Sequence, residues 1–573
     1  MMKLEELIPV ARGDAPADLL LTDCRLVNVY TGETYQTEVA LVGETVAGIG
    51  PGYGAKRTLS LGGRYLCPGF IDAHVHVEST MLLPTEFARA VVPLGTTTVV
   101  SDPHEIANVC GLAGIRYLLD VAELAPMTVF ANAPSCVPAT PMSTAGASLD
   151  AADLLTLRQD PRVLGLAEMM NFPGVVSAVP EVLAKLEAYA DRPIDGHAPG
   201  LSGPPLNAYI GAGIGSDHEC STADEALEKV RLGMRVLIRE GTATRDLAAL
   251  LPAVTPENAR RFCLCTDDRH PADLLNEGHI DALVRAAISG GMDPVAAIRM
   301  ATLNPAEWFR LWDRGAIAPG KRADLVVFSN LNDLRAEMVF VGGRLVAQDG
   351  ACLGERQPVP VDDRAVRSSV NVNWEELDLL VPAGGAAMRV IGAVGDQVVT
   401  QHLLLKPTLR DGEAVADPAR DLLKLAVIER HRGTGNVGLG FIQGIGLQRG
   451  AIASTVCHDH HNLIVTGADD MSMMTAVRAV VEMGGGEVVA DGDRVLERLP
   501  LPIAGLMSDR PITEVYRNQN AMLEAAAGLG CSIPDPFMTL SFMALEVIPS
   551  LKLTDQGLVD VDRFALVDLW APA

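Results

Sequence analysis

Between about Tyr65 and Arg314 the chain repeats one pattern, a short apolar run ending in polar or charged residues and followed by an amphipathic helical stretch. The runs are GFIDAHVHVE, TTTVVSDPHE, MTVFANAPS, VLGLAEMM, PIDGHAP, IGAGIGSDHE, RVLIREG and FCLCTDD. Eight strand–helix units within about 250 residues match the arithmetic of a (β/α)8 barrel. In such a barrel the polar run ends gather on one rim, where barrel chemistry resides.

The flanks read differently. The first sixty or so residues hold short β-rich runs, LLLTDCRLVNVY, EVALVGETVAGIG and RTLSLGGRYLCPGF, separated by Gly-containing turns. A second cluster lies downstream at ADLVVFSNLNDLRAEMVFVGGRLVAQDG (323–350). Two strand clusters around a long insert predict one small β domain built from both sides of the barrel. From about Pro358 the pattern changes again: ARDLLKLAVIERH and MMTAVRAVVEMGG read as helices among β-like runs such as MRVIGAV. The Gly-rich passage GTGNVGLGFIQGIGLQRGAIAST lacks the strand–loop–helix context of a nucleotide loop and reads as turns between strands. The expected architecture is therefore α/β: a barrel over 65–314, a small β-sandwich from 1–64 and 315–357, and a C-terminal α+β domain over 358–573. A chain of 573 residues suits two or three domains.

Charge narrows the partners. With 46 Lys+Arg against 72 Asp+Glu, the net charge of −26 repels phosphate backbones and anionic lipid. Nucleic-acid polymers and membranes are thus poor partners, whereas a small uncharged heterocycle is not excluded. No run of about 20 apolar residues appears, and the start MMKLEELIPVARGDAP has no signal-peptide core. The 10 cysteines have no regular spacing, which predicts reduced thiols and a cytoplasmic location.

The chemistry begins at Asp72-Ala73-His74-Val75-His76. Period-two alternation places both imidazoles on one side of a strand, a spacing that can chelate one metal ion. Further donors fall at later run ends: Glu168, His197, His218 and Asp267. Each alone has a bland reading, as a helix opener, a core histidine, a loop residue or an N-cap. Their joint occurrence at strand ends after His-x-His points to a metal cluster.

These residues resemble the amidohydrolase superfamily, through PGFIDAHVHVE, the order of His197, His218 and Asp267, and the return segment RGAIAPGKRADLVVF. The resemblance implies two divalent ions sharing a bridging carboxylate and a bridging hydroxide, with His74, His76 and Asp267 on one ion and His197 and His218 on the other. Some members bridge with a carboxylated lysine. Here the only lysine between Lys56 and Lys229 is Lys185, in the helical EVLAKLEAYADR, so Glu168 is the expected bridge. HVHVEST (74–80), SDPHEIANV (101–109), GSDHE (215–219) and CTDDRHP (265–271) are similar to the bacterial adenine deaminase family, as is the C-terminal ASTVCHDHHNLIVTGADD (453–470). In that segment the family usually reads His-Asp-Ser-His-Asn, whereas this chain reads His458-Asp459-His460-His461-Asn462. The cluster is readable as an auxiliary metal site, a closure of the cavity mouth or a polar turn, with the turn slightly favoured.

The resemblance implies hydrolysis of adenine to hypoxanthine and ammonia, a reaction of purine salvage and adenine catabolism. Asp267 would move the proton from water, Glu168 would bridge the metals, His104 would polarise the ring and Glu78 would hydrogen-bond a ring nitrogen. Asp217 and Glu219 would orient imidazoles, Asp268 would be structural, and Cys263 and Cys265 would be strand packing. A His-rich set with two carboxylates and no thiolate suits Mn(II) or Fe(II), with Zn(II) also compatible. The expected partner is a small purine base, and a homo-oligomer is the expected assembly. Another binuclear amidohydrolase, acting on a cyclic amide or a different aminated heterocycle, shares every metal residue and stays open. A non-enzymatic barrel would require a broken hydrolytic set, and this set is complete.

Overall fold

A computed structural model describes residues 3–395 and 397–571. All eight predicted runs form barrel strands: β1 (Phe70–Val75), β2 (Thr96–Ser101), β3 (Thr128–Ala133), β4 (Val163–Met169), β5 (Ile194–Gly196), β6 (Ser216–Asp217), β7 (Arg235–Arg239) and β8 (Phe262–Cys265). β1 to β5 pair in sequence as one parallel sheet, and β6 to β8 as a second. Two seams close the ring. The Asp267 N–H donates to the His74 carbonyl (3.0 Å), joining β8 to β1, and the Gly215 N–H donates to the Ile194 carbonyl (3.0 Å), joining β6 to β5.

Alternation divides the strands between two cores. Ile71, Ala73, Val100, Leu237, Cys263 and Cys265 meet although β2 and β7 are not neighbours, which is the packed barrel interior. Phe70, Val99, Val236, Ile238 and Phe262 instead meet helical residues such as Leu283, Val284 and Ile298. Strands covered on both faces are expected to be apolar almost throughout, and these are.

The two flanks combine in one nine-stranded sheet. Tyr65–Pro68, just before β1, pairs parallel with the N-terminal strand Ala17–Asn28 and antiparallel with Leu325–Phe328 from the downstream side. The barrel thus leaves and re-enters the sheet on adjacent strands.

The C-terminal region holds an eight-stranded sheet covered on one side by the helix Asp470–Glu482, and a smaller sheet of Leu551–Thr554, Gly557–Asp560 and Ala565–Val567. One expected helix is corrected here. ARDLLKLAVIERH contains the central strand Leu422–Ile428, all seven residues of which are buried. A short apolar run buried on both faces carries no alternation to separate it from a helix. Its Lys424 stays inside because its ammonium meets the Asp470 carboxylate (2.6 Å) and the Leu379 carbonyl (2.9 Å). The Gly-rich passage supplies the strands Val437–Gln443 and Ala451–Ser454 with turns between them.

Gly438 is where Val437–Gln443 approaches the smaller sheet most closely, since a Cβ there would lie 1.8 Å from the Thr554 carbonyl oxygen. At Gly440 it would meet only Leu553 and Leu558 side chains at 3.5 Å. Gly438→Ala is expected to cost about 1–3 kcal/mol in denaturant unfolding, and Gly440→Ala to be tolerated.

Candidate metal centre and cavity

The site is assembled where β1 and β8 meet. Asp72 Oδ1 accepts the His74 N–H (3.2 Å) and the Thr266 N–H (3.2 Å), and Oδ2 accepts the Thr266 hydroxyl (2.5 Å), so one buried carboxylate sets both strand ends. Asp267 follows with φ 57°, in the left-handed region that Asp tolerates better than most residues. His76 donates from Nδ1 to the Asp102 carbonyl (3.0 Å), which fixes the tautomer and leaves the Nε2 lone pair free for a ligand.

Around these atoms the predicted donors converge. His74 Nε2 and His76 Nε2 lie 3.2 Å apart. Glu168 Oε1 is 3.6 and 3.3 Å from them, and Asp267 Oδ1 is 3.5 and 3.1 Å away. The other Glu168 oxygen, Oε2, faces His197 Nδ1 (2.6 Å) and His218 Nε2 (3.3 Å). All six side chains are buried except His197, which is half-buried. Burial opposes ionisation of Glu168, but His218 and His197 hold its carboxyl well below the usual range. Convergent nitrogen lone pairs flanked by two carboxylates form a donor set that fits divalent cations, and the groupings His74/His76/Glu168, His74/His218/Asp267 and Glu168/His197/His218 are each close enough to hold one.

Arg239, at the end of β7, is a residue the sequence reading passed over. It donates to Asp267 Oδ2 (3.0 Å), to Asp246 Oδ2 (3.0 Å) and to both oxygens of Glu219. Its signal was the same as its neighbours', a polar residue ending an apolar run, but a guanidinium is not a metal ligand. Of the two carboxylates flanking His218, Glu219 reaches the imidazoles, at 3.5 Å from both His197 and His218. Asp217 turns away to the buried Lys229 ammonium (3.0 Å) and the Ala198 N–H.

His104 opens the helix His104–Ala122 and also lines the cavity, with Nδ1 3.2 Å from Asp102 Oδ1 and 3.6 Å from Glu168 Oε1. Glu78 is buried beside the start of that helix, where its Oε1 accepts the Ile106 N–H (3.2 Å), as the positive first turn favours a carboxylate. Among the described residues its Oε2 has no hydrogen-bond partner. Burial raises Glu78 to about 7. Asp268, read as structural, lines the cavity, and among the described residues its Oδ1 has no hydrogen-bond partner.

The HDHHN segment is a turn over His458–His460 with hydrogen-bonded imidazoles, and it is buried rather than solvated, with Glu105, His458 and His461 close enough together to hold a cation. Glu105, next to His104, accepts from His458 Nδ1 (2.6 Å) and from His461 Nε2, joining the barrel rim to the C-terminal region. Arg430 fixes the segment from behind, donating to the carbonyls of His461, Ser369 (2.9 Å) and Ala504 (2.9 Å). His458 stacks on Phe542 (centroids 4.7 Å apart, 11° between planes), and both line the cavity with Asp459. The barrel therefore supplies the floor with the candidate metal ligands, and the C-terminal region the roof.

Residues 65–346 match the family model of the amidohydrolase family, and residues 397–565 match that of the adenine deaminase C-terminal domain. An adenine deaminase of Desulfatibacillum aliphaticivorans is 52% identical over 99% of both chains. One from Cereibacter sphaeroides is 50% identical over 98% of this chain and 99% of its own. Adenine deaminase 2 of Carboxydothermus hydrogenoformans is 50% identical over 99% of both. With both halves matched and half of all positions identical from end to end, the chain belongs to the adenine deaminase family of amidohydrolases.

Proposed function

We propose that this protein hydrolyses adenine to hypoxanthine and ammonia, using two divalent ions held by His74, His76, Glu168, His197, His218 and Asp267. The observation that carries the reading is the division of the Glu168 carboxylate, one oxygen toward His74 and His76 and the other toward His197 and His218. The full-length similarity to proteins named adenine deaminase selects the substrate over other heterocycles.

When bound, the ions supply Lewis acidity, which makes water nucleophilic near neutral pH. Asp267 Oδ1 faces the imidazole cluster while Arg239 holds Oδ2, an orientation suited to taking a proton from the attacking water and returning it to the departing amine. His104, beside Glu168 at the rim, is placed to polarise the purine ring. Apolar residues of the roof such as Phe542, Leu545 and Ile548 line the cavity, and the lower local polarity they give strengthens these interactions.

Mn(II) or Fe(II) is the proposed metal, with Zn(II) a chemical alternative. The proposed partner is the free purine base, with no nucleic acid or membrane surface, in keeping with the net charge of −26. Among the described residues no helix is long and apolar enough to cross a membrane. A cytoplasmic homo-oligomer in purine salvage or adenine catabolism completes the reading. We assign the flank domain to 1–64 and 315–357, the barrel to 65–314 and the C-terminal domain to 358–573, with Tyr65–Pro68 hydrogen-bonded into the flank sheet.

Chelation is expected to abolish ammonia release from adenine, and reloading with Mn(II) or Fe(II) to restore it with loss of adenine absorbance. Glu168→Gln should bind fewer than two metals per chain by elemental analysis and lose on the order of 1,000-fold or more in kcat. Arg239→Met, which frees Asp267 Oδ2 while leaving every proposed ligand in place, should retain metal and lose about 10- to 100-fold in kcat.

A further inference from the structure

The carboxylates on the cavity wall are unequally committed. Glu168 and Asp267 face the imidazole cluster, Glu219 is paired with Arg239, and Glu105 is held between His458 and His461. Asp459 is different. It is 4% exposed, lines the cavity from the roof, and among the described residues its Oδ2 has no hydrogen-bond partner. Its Oδ1 lies 3.9 Å from His104 Nε2 and 4.0 Å from His458 Nδ1, both beyond hydrogen-bonding distance. Among the described residues Asp268 also leaves an oxygen unpaired, but it adjoins Asp267 on the floor. Asp459 lies across the cavity, beside the stacked His458 and Phe542.

A buried carboxyl with an open oxygen destabilises the fold unless something completes its hydrogen bonding. The segment that carries it is held firmly: Glu105 grips His458 and His461, and Arg430 binds the His461 carbonyl. A rigid support behind an unsatisfied, cavity-facing group is the arrangement of a ligand contact. Adenine offers a matching edge, since its ring nitrogens accept or donate one hydrogen bond each and its faces suit an apolar, aromatic wall.

We propose that Asp459 is a specificity-determining residue, hydrogen-bonding a ring nitrogen of the base while the Phe542 side of the roof covers its face. This rests on adenine as the substrate and assigns the recognition of the base to the C-terminal region. Asp459 is not among the proposed metal ligands, so its substitution should separate from metal loss.

The test uses the full-length, metal-loaded protein with Asp459→Ala and Asp459→Asn. Adenine kinetics are combined with inhibition by 3-deazaadenine, 7-deazaadenine and 9-methyladenine, each altering one ring nitrogen. The expected result is two metals per chain in both variants and a kcat/KM for adenine about 10- to 100-fold lower in Asp459→Ala. One analogue that binds the parent more weakly than adenine should lose that disadvantage in Asp459→Ala, which identifies the contacted nitrogen. Parent-like kcat/KM in both variants would overturn the proposal, as would loss of metal from both, or an equal penalty for every analogue in parent and variant. In those cases adenine turnover by the parent leaves the proposed function standing. A parent that neither binds nor turns over adenine overturns both.

Discussion

Glu168 shares its two oxygens between two pairs of imidazoles, His74 with His76 and His197 with His218. A buried carboxylate can serve two groups in this way only if four separate strand ends, β1, β4, β5 and β6, hold their tips within a few ångströms. A closed barrel does this because each strand ends on the same rim and the ring of hydrogen bonds fixes their stagger. The seam between β1 and β8 is the most exacting part. There Asp72 ties His74 to Thr266, and the backbone of Asp267 bonds to that of His74. A shift of one residue at that seam would turn Asp267 away from both imidazoles.

Charge is arranged around this centre in shells. Asp102, Glu219 and Arg239 touch the proposed ligands or their carboxylates without belonging to the ligand set, and each limits the orientation of what it touches. Arg239 also neutralises part of a strongly acidic neighbourhood, because Asp246, Glu219 and Asp267 all point at it. Removing so many carboxylates from water is tolerable only because imidazoles and a guanidinium lie within contact distance of them.

Much of the barrel was legible because its signal was redundant. Most strands were announced twice, by an apolar run and by the chemical residue that ends it, so the positions of His74, His76, Glu168, His197, His218 and Asp267 at the rim followed from pattern. β3 and β7 were announced by the apolar run without a candidate ligand at its end. Elsewhere one of the two signals was missing. Leu422–Ile428 is apolar without alternation, and its buried Lys424 mimics the polar face of a helix. Glu78 read as a contact for a purine ring nitrogen, and the helix terminus that engages its Oε1 was invisible in local sequence. The roof was the least legible. His458 and Asp459 meet Glu105 and His104 only through tertiary contacts between residues hundreds of positions apart, which no spacing rule reports.

The clamp of Glu105 on His458 and His461 has a consequence for how the molecule comes into being. During synthesis the barrel strands emerge first, and the segments that cover them, around His458 and Phe542, emerge far later. Until then the rim with the proposed metal ligands lacks the segments that cover it, and Glu105 is without its two imidazole partners. Completion of the chain is therefore also the closing of the reaction vessel, and a prematurely ended copy would carry the proposed metal ligands but no chamber in which to use them.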